Sequence, residues 1–546
     1  METLTKLSKV ESLSKEFLFI NLKSYYRYKE NKPSQQKMNI ENLPPEMMIK
    51  IFKVLEPLNL KNIALVCKRW KNISDSSGLW SWSRLNLGDL SSLVKLNMKR
   101  AEHIENICLE ECDIKDLNQI LKSIENMPKI KIITGLDHKN LSLIEPYLLA
   151  RVVNKVEEVD WCFHTRMTTL QAQAILEKMA KETKLKELQM VNKCLVYIQP
   201  EVLGSAVNNV ESVYMSDTNH GHIFPPDQVR GIFTAISSGT NVKTFMLRDI
   251  DISLVEPSTM ASALNKLEEV MIWKSFRPSS QADLSEAQCK ALFNNMSKIT
   301  NLKKMVITTE YMNKVNPRIF AEALNNLEEA SVYDKITNIQ ATAFFSMMAE
   351  KTSLQKFRIF NTNLSAILPS IMGKGIMYLE ELTMVGCRLT SEQTLSIFLS
   401  INEGNSLKKL NLSHSDLSNV DIELLVIVSK KLEKITINNN HLSYEQIISI
   451  LKPCAEKQTK LNTLILRNTK LTDIEPELLS KALRNLYNIE LNDCSLRPAQ
   501  VNMILEDNTT DDSNLEDLTI INEDLDQLEI GLLEEAASIY NVSYAV

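Results

Sequence analysis

The side chains able to do chemistry are few and scattered. The 546 residues include nine cysteines and seven histidines, and no two cysteines form a C-x-x-C pair. The nearest approach to a metal-ligand spacing is His103, Cys108, Cys112. A strand leaving into a loop there directs Cys108 away from the core and Cys112 into it, so the three do not converge as a metal site requires. No G-x-x-x-x-G-K-[ST] phosphate loop is present. The histidines form no recognisable triad with Ser and Asp. These absences point to a non-catalytic protein with no cofactor and no metal, whose chemistry is recognition.

The elements that would present a recognition surface are legible from a repeat. Between Ile107 and Leu518 the pattern L-x-x-L-x-L returns sixteen times. Its second apolar anchors run Val159, Leu188, Val213, Phe245, Val270, Met305, Ala330, Phe357, Leu382, Leu410, Ile435, Leu464, Ile489, Leu518, and steps of 25 residues alternate with steps of 27 to 35. Weaker copies lie at Ile107 and Ile133. A period in this range specifies a solenoid. Within each copy the apolar spacing changes from three or four to two, which predicts a helix and then a strand. Capping boxes mark helix starts at Ser142 with Glu145, Thr168 with Gln171, Ser285 with Gln288, Thr390 with Gln393, Ser443 with Gln446 and Thr472 with Glu475. Alternate copies carry a proline just inside the helix, at Pro146, Pro200, Pro257, Pro317, Pro369 and Pro476, where the backbone N–H has no partner to lose. One unit cannot bury its own apolar face, whereas stacked units can. The expected fold class is α/β, a horseshoe with parallel strands on the concave side and helices outside. This pattern resembles the leucine-rich repeats of the ribonuclease-inhibitor class. Cys112, Cys387 and Cys494 occupy the slot that such repeats give to Asn or Cys, and Asn440, Ser415, Thr362 and Thr469 share it. They read as structural groups that satisfy loop backbone, in a reducing compartment.

No uncharged apolar run approaches the roughly 18 residues of a membrane span, so no membrane partner is expected. Lys6, Lys9, Glu11, Lys15 and Glu16 precede the short run Phe17–Ile20, which does not fit a secretory signal. Residues 1–38 read as a flexible tail. The net charge of −6 is uneven: twelve Asp and Glu and no Lys or Arg follow Arg497. Residues 525–546 therefore read as an acidic C-terminal cap, with the repeat array over 86–524.

A different segment precedes the array. Ile40-Glu-Asn-Leu-Pro-Pro-Glu-Met-Met-Ile-Lys-Ile-Phe opens it, Val66-Cys-Lys-Arg-Trp follows, and Leu79-Trp closes it. Pro44 and Pro45 start a helix with an apolar stripe of Met47, Met48, Ile51, Phe52 and Leu55. Asn59 would cap a second helix through Leu60, Ile63, Ala64 and Cys67, and a third carries Trp70 and Ile73. A module of this size buries little core alone, so it is expected to dock on another protein. It resembles the F-box family over residues 39–85: L-P-x-E is Leu43, Pro44, Glu46; I-F…L is Ile51, Phe52, Leu55; V-C-x-x-W is Val66, Cys67, Trp70. The resemblance implies a Skp-type adaptor bound by Leu43, Pro44, Ile51, Leu55, Leu58, Leu60, Val66 and Trp70, and through it a cullin. An F-box ahead of such repeats is similar to the substrate receptors of SCF-type (Skp–cullin–F-box) ubiquitin ligases. That implies a cytoplasmic and/or nuclear protein whose repeats bind a protein substrate. The alternatives are a non-catalytic scaffold or inhibitor acting outside a ligase, and a small-molecule sensor.

Alternation along each strand sends three lanes of side chains to the concave face. The first reads Glu269, Lys304, Glu329, Lys356, Glu381, Lys409, and its alternating charges should pair across strands. It offers no basic stripe for nucleic acid. The next two lanes are apolar and aromatic, which marks an interface. Tyr214, Met246, Arg248, Met271, Trp273, Val306, Tyr333, Arg358 and Phe360 are the candidate substrate contacts. The loops over 216–226 and 274–284, where the two longest steps fall, are candidate specificity elements.

Overall fold

The computed structural model describes residues 43–53, 63–76, 79, 84–86, 102–110, 112, 114–136, 141–160, 167–191, 195, 197–216, 224–273, 284–298, 300–333, 336–350, 352–404, 406–438, 442–508, 514–521 and 541–545. Two units emerge, Met1–Ser83 and Arg84–Val546. No described helix is long and apolar enough to cross a membrane.

In the first unit, Pro45 begins the helix Pro45–Phe52, where its ring replaces an N–H that would lack a partner. A second helix, Lys68–Ser74, is capped by Cys67, whose Sγ accepts the Trp70 N–H at 3.4 Å. Cys67 is thus the cap of this helix and not the end of the preceding one, as the sequence had suggested. The Arg69 guanidinium donates to the Leu43 carbonyl. Met48, Phe52, Ile63, Ile73 and Leu79 are buried, and the Phe52 and Trp70 rings meet edge to face at 5.3 Å.

In the second unit the strands are β1 (Arg84–Asn86), β2 (Asn106–Cys108), β3 (Ile132–Thr134), β4 (Glu158–Val159), β5 (Glu187–Val191), β6 (Ser212–Ser216), β7 (Thr244–Arg248), β8 (Glu269–Trp273) and β9 (Lys304–Ile307). They continue as β10 (Glu329–Val332), β11 (Lys356–Phe360), β12 (Glu381–Val385), β13 (Lys409–Ser413), β14 (Lys434–Asn438), β15 (Thr463–Arg467), β16 (Asn488–Asn492), β17 (Asp517–Ile521) and β18 (Asn541–Ala545). They form a four-stranded and a fourteen-stranded sheet in chain order. Every pairing is parallel, with one helix or more crossing between most neighbours. The two sheets are linked by backbone: the Lys186 N–H donates to the Glu157 carbonyl at 2.9 Å. The array therefore reaches beyond the expected 86–524. Strand β1 straddles the boundary at 85, and β18 pairs with β17 inside the expected C-terminal cap. Residues 1–38, the loop cores 217–223 and 274–283, and Asn440 lie outside the described residues.

All sixteen anchors are buried. They face the helices, as the Phe233–Phe245 and Phe344–Phe357 ring contacts at 5.6 and 4.6 Å show. The turns that leave the strands repeat as well. Asp249, Asn361, Gly386, His414, Asn468 and Asp493 each follow a strand with positive φ. Each donates its N–H to the last carbonyl of the next strand. At Gly386 a Cβ would sit 2.7 Å from Asn361 Oδ1, so only glycine fits without displacement.

Stacking is secured by a buried carboxamide. The capping boxes of Thr168, Ser285, Thr390 and Ser443 are all formed. In each, the glutamine Oε1 accepts the cap N–H, while its Nε2 donates to two carbonyls of the preceding repeat. Gln393 Nε2 reaches Leu364 O at 2.7 Å and Ile367 O at 2.6 Å. Gln171, Gln288, Gln340, Gln446 and Gln500 do the same. The boxes expected at Ser142 and Thr472 do not form. There Glu145 and Glu475 are themselves the caps ahead of the helix-initial prolines, because proline at the first helical position sets the start one residue before it. The thiols of Cys387 and Cys494 lie 3.4 and 3.3 Å from the carbonyls of Ile359 and Leu466, and can donate to them. Cys108, one residue after the anchor Ile107 on β2, falls on the opposite side of the strand by alternation, yet it is buried; His103 faces Lys129 at 3.2 Å.

Replacing Gln393 with Leu leaves the Ile367 carbonyl and the Thr390 N–H unpaired and takes one of two donors from the Leu364 carbonyl, which keeps the Ile367 N–H, and should lower stability by about 2–4 kcal/mol. Denaturant unfolding of the full chain reads this, and a loss below about 0.5 kcal/mol would contradict the clamp. Burial pushes the Cys387 thiol up to about 11 and the Cys454 thiol up to about 12. In the native chain at neutral pH, peptide mapping after alkylation should therefore find exposed Cys67 modified well before either of these.

Candidate functional site

The F-box-like segment separates core from surface. Of the eight expected adaptor contacts, Pro44 and Val66 are exposed, while Leu43, Ile51 and Trp70 are half-buried. Leu55, Leu58 and Leu60 lie outside the described residues. Trp70 is partly committed to the internal contact with Phe52. Leu65, absent from the sequence-based set, is 80% exposed beside Val66 at 56%. Periodicity hid it, because Ala64-Leu-Val was read as continuing a helix, whereas Ala64–Val66 form a turn. Two adjacent apolar side chains are thus left in water on this small core.

The second candidate surface is the sheet face opposite the helices. Register brings the lanes together as read: Tyr214, Met246, Met271 and Val306 are cross-strand neighbours on β6–β9, and Arg248 lies beside Trp273. All nine candidate substrate contacts are half-buried. Two aromatic pairs form among them. Tyr333 and Phe360 stack at 4.3 Å, only 3° from parallel. The Tyr214 and Trp273 rings stand 6.3 Å apart. Their strands are separated by β7, so the rings lean towards each other over it. Ser331, the register neighbour of Val306 on β10, is buried. Its small side chain sits beside Arg358 on β11, and the longer neighbour covers it.

The charged lane is also in register, with Lys304, Glu329, Lys356, Glu381 and Lys409 adjacent in turn. Its lysines pair only loosely: Lys304–Glu329 is 3.8 Å, Lys356–Glu329 3.7 Å and Lys409–Glu381 4.0 Å. The close contacts belong to Arg358, which reaches Glu329 at 2.6 Å and Glu381 at 2.8 Å. Burial disfavours the Arg358 cation, but Glu381 and Glu329 outweigh it and raise its pKa further. A guanidinium held by two carboxylates across three strands has no charge to spare for a ligand. Arg358 thus organises the face. A further Lys–Glu ladder runs one residue earlier, at Lys131–Glu105, Lys243–Glu211, Lys303–Glu268 and Lys408–Glu380.

Comparison with known proteins identifies part of this arrangement. Residues 40–86 match the F-box-like family model. No curated protein matches the chain. Among solved structures, an LRR protein of Leptospira interrogans aligns with a TM-score of 0.35 at 12% identity, over 85% of this chain and 95% of that one. TLR13, crystallised in complex with ssRNA13, aligns with a TM-score of 0.40 at 14% identity, over 82% of this chain and 68% of that one. The chain carries an F-box-like domain ahead of an array of leucine-rich repeats.

Proposed function

We propose that this protein is the substrate-recognition subunit of an SCF-type ubiquitin ligase. In this reading the F-box-like segment docks a Skp-type adaptor, which connects to a cullin, and the open sheet face holds a protein substrate. The observation that carries it is the exposed Leu65–Val66 pair on a segment that matches the F-box-like model and keeps its own core of Met48, Phe52, Ile63 and Ile73 elsewhere. An apolar pair in that position costs solvation unless a partner covers it. The repeats supply a long row of identical backbone units on which side chains can vary without altering the scaffold, which suits recognition. Bond-making is left to the partner subunits. A cytoplasmic or nuclear location goes with this reading, and seven described cysteines outside any disulfide suit a reducing compartment.

Co-purification of the full chain with a Skp-type adaptor tests the first half. Wild type should retain the adaptor, and Leu65→Asp with Val66→Asp should abolish retention while near-UV circular dichroism stays native. Adaptor binding by that variant, or none by wild type, would contradict the assignment and favour a scaffold acting outside a ligase. For the second half, Trp273→Ala, Tyr333→Ala and Phe360→Ala together should weaken capture of a substrate at least about a hundredfold, since buried aromatic anchors dominate such interfaces, and leave adaptor binding unchanged. Substrate capture equal to wild type would contradict it.

A further inference from the structure

The structure assigns a subsite for an oxyanion with an apolar neighbour to the face of β6–β8. Arg248 would take the carboxylate or phosphate of an acidic residue in a substrate peptide, and Tyr214, Met246, Met271 and Trp273 would take the adjoining apolar side chain. This deepens the reading of the open sheet face as a substrate surface and rests on it.

The two candidate arginines of the face differ in what they already hold. Arg358 is held by Glu329 and Glu381 at 2.6 and 2.8 Å, and those carboxylates are only 12% and 16% exposed. The Arg248 Nε meets one carboxylate among the described residues, that of its chain neighbour Asp249, 12% exposed and at 3.8 Å beyond hydrogen-bond reach, and the Arg248 side chain remains 43% exposed. Its Nε is buried and has no hydrogen-bond partner among the described residues. Beside it in register is Ser216, which is 1% exposed and whose Oγ is also unpartnered. Ser216 follows the alternation of lane residues along β6 and so lies on the open side. An unpaired donor and an unpaired hydroxyl next to one another carry a standing desolvation cost. An oxyanion placed over β6–β7 would accept from the exposed part of the Arg248 guanidinium and lie next to the buried Ser216 hydroxyl.

The surroundings select what accompanies that anion. The Tyr214 and Trp273 rings lean over β7, and Met246 and Met271 are adjacent in the next lane. Methionine adapts to varied shapes and the rings supply rigid area. The wall next to the arginine is therefore apolar, which suits a side chain such as Leu, Met or Phe and not a second charge. The lysine pair Lys409–Lys434, adjacent on β13 and β14, is the competing anion site on this face. Its strands carry Asn411, Ser413 and Asn438 on the same side, with no aromatic residue in register, and Lys434 is half-buried.

An array of terminally blocked decapeptides probes this directly. Each peptide carries a Leu-Met-Phe core followed by Asp-Glu, by phosphoserine, or by Asn-Gln. Full-length wild type should retain one or both acidic arms at least about tenfold over the amide arm, the scale of a charge-assisted hydrogen-bonded contact. The stronger arm tells carboxylate from phosphate. Arg248→Gln should abolish that preference, and Lys434→Gln should leave it intact. Loss of preference in Lys434→Gln and not in Arg248→Gln would overturn the subsite, as would equal retention of all arms, or of none, by wild type. If Arg248→Gln keeps the acid preference while the triple alanine variant loses binding, the subsite fails and the substrate-face reading stands. If the triple variant binds as wild type does, the substrate-face reading itself fails.

Discussion

A buried glutamine clamps neighbouring repeats together at six places along the array, and the order of the array depends on it. A helix start leaves N–H groups without partners, and the turn of the preceding repeat closes one backbone bond but leaves its last carbonyl without a partner. Both are buried here. One carboxamide satisfies both sets: Gln393 accepts from the Thr390 N–H and donates to the carbonyls of Leu364 and Ile367. Glutamate could accept but not donate, and an apolar residue could do neither. The same contact recurs at Gln171, Gln288, Gln340, Gln446 and Gln500. Because the clamp reaches from one repeat type into the other, the unit of stacking is the pair of repeats. The alternation of step lengths along the chain follows from that.

Much of this was legible in the sequence, and the limits have physical causes. The sixteen anchors and the strand register follow from alternation of period two, because a one-residue slip would turn every Val213- or Phe245-type anchor into water. The capping boxes named the right glutamines, but local pattern cannot show where Nε2 donates, since its acceptors lie some 25 to 36 residues earlier. Proline overrode the boxes read at Ser142 and Thr472, where the N-cap had to fall immediately before the ring. At the array's end, composition suggested a charged cap over 525–546, yet Asn541–Ala545 continues the sheet, because its alternating Val542 and Tyr544 match the strand period. The candidate face was legible as lanes of residue types. Which arginine was engaged was not, since Arg358 meets carboxylates on the two flanking strands and Arg248 meets only its chain neighbour Asp249. Leu65 was missed because a turn exposes it where a helix would have turned it by another angle.

These features divide the work between two parts of the chain. The F-box-like segment has a small core and an exposed apolar pair, so on the proposed reading its stability and its binding would be tied together. The repeat array is stabilised repeat by repeat, and its open face can hold half-buried aromatic side chains because the opposite face supplies the core. On the proposed reading, substitutions on that face would alter recognition with little cost to folding, whereas the glutamines and anchors tolerate little change.

Hydrogen–deuterium exchange of the full chain, with and without a purified Skp-type adaptor, tests this division most directly. The account predicts slower exchange on adaptor binding within residues 43–79 and unchanged exchange across strands β5–β17. No protection in 43–79, or protection centred on the repeat strands, would contradict it.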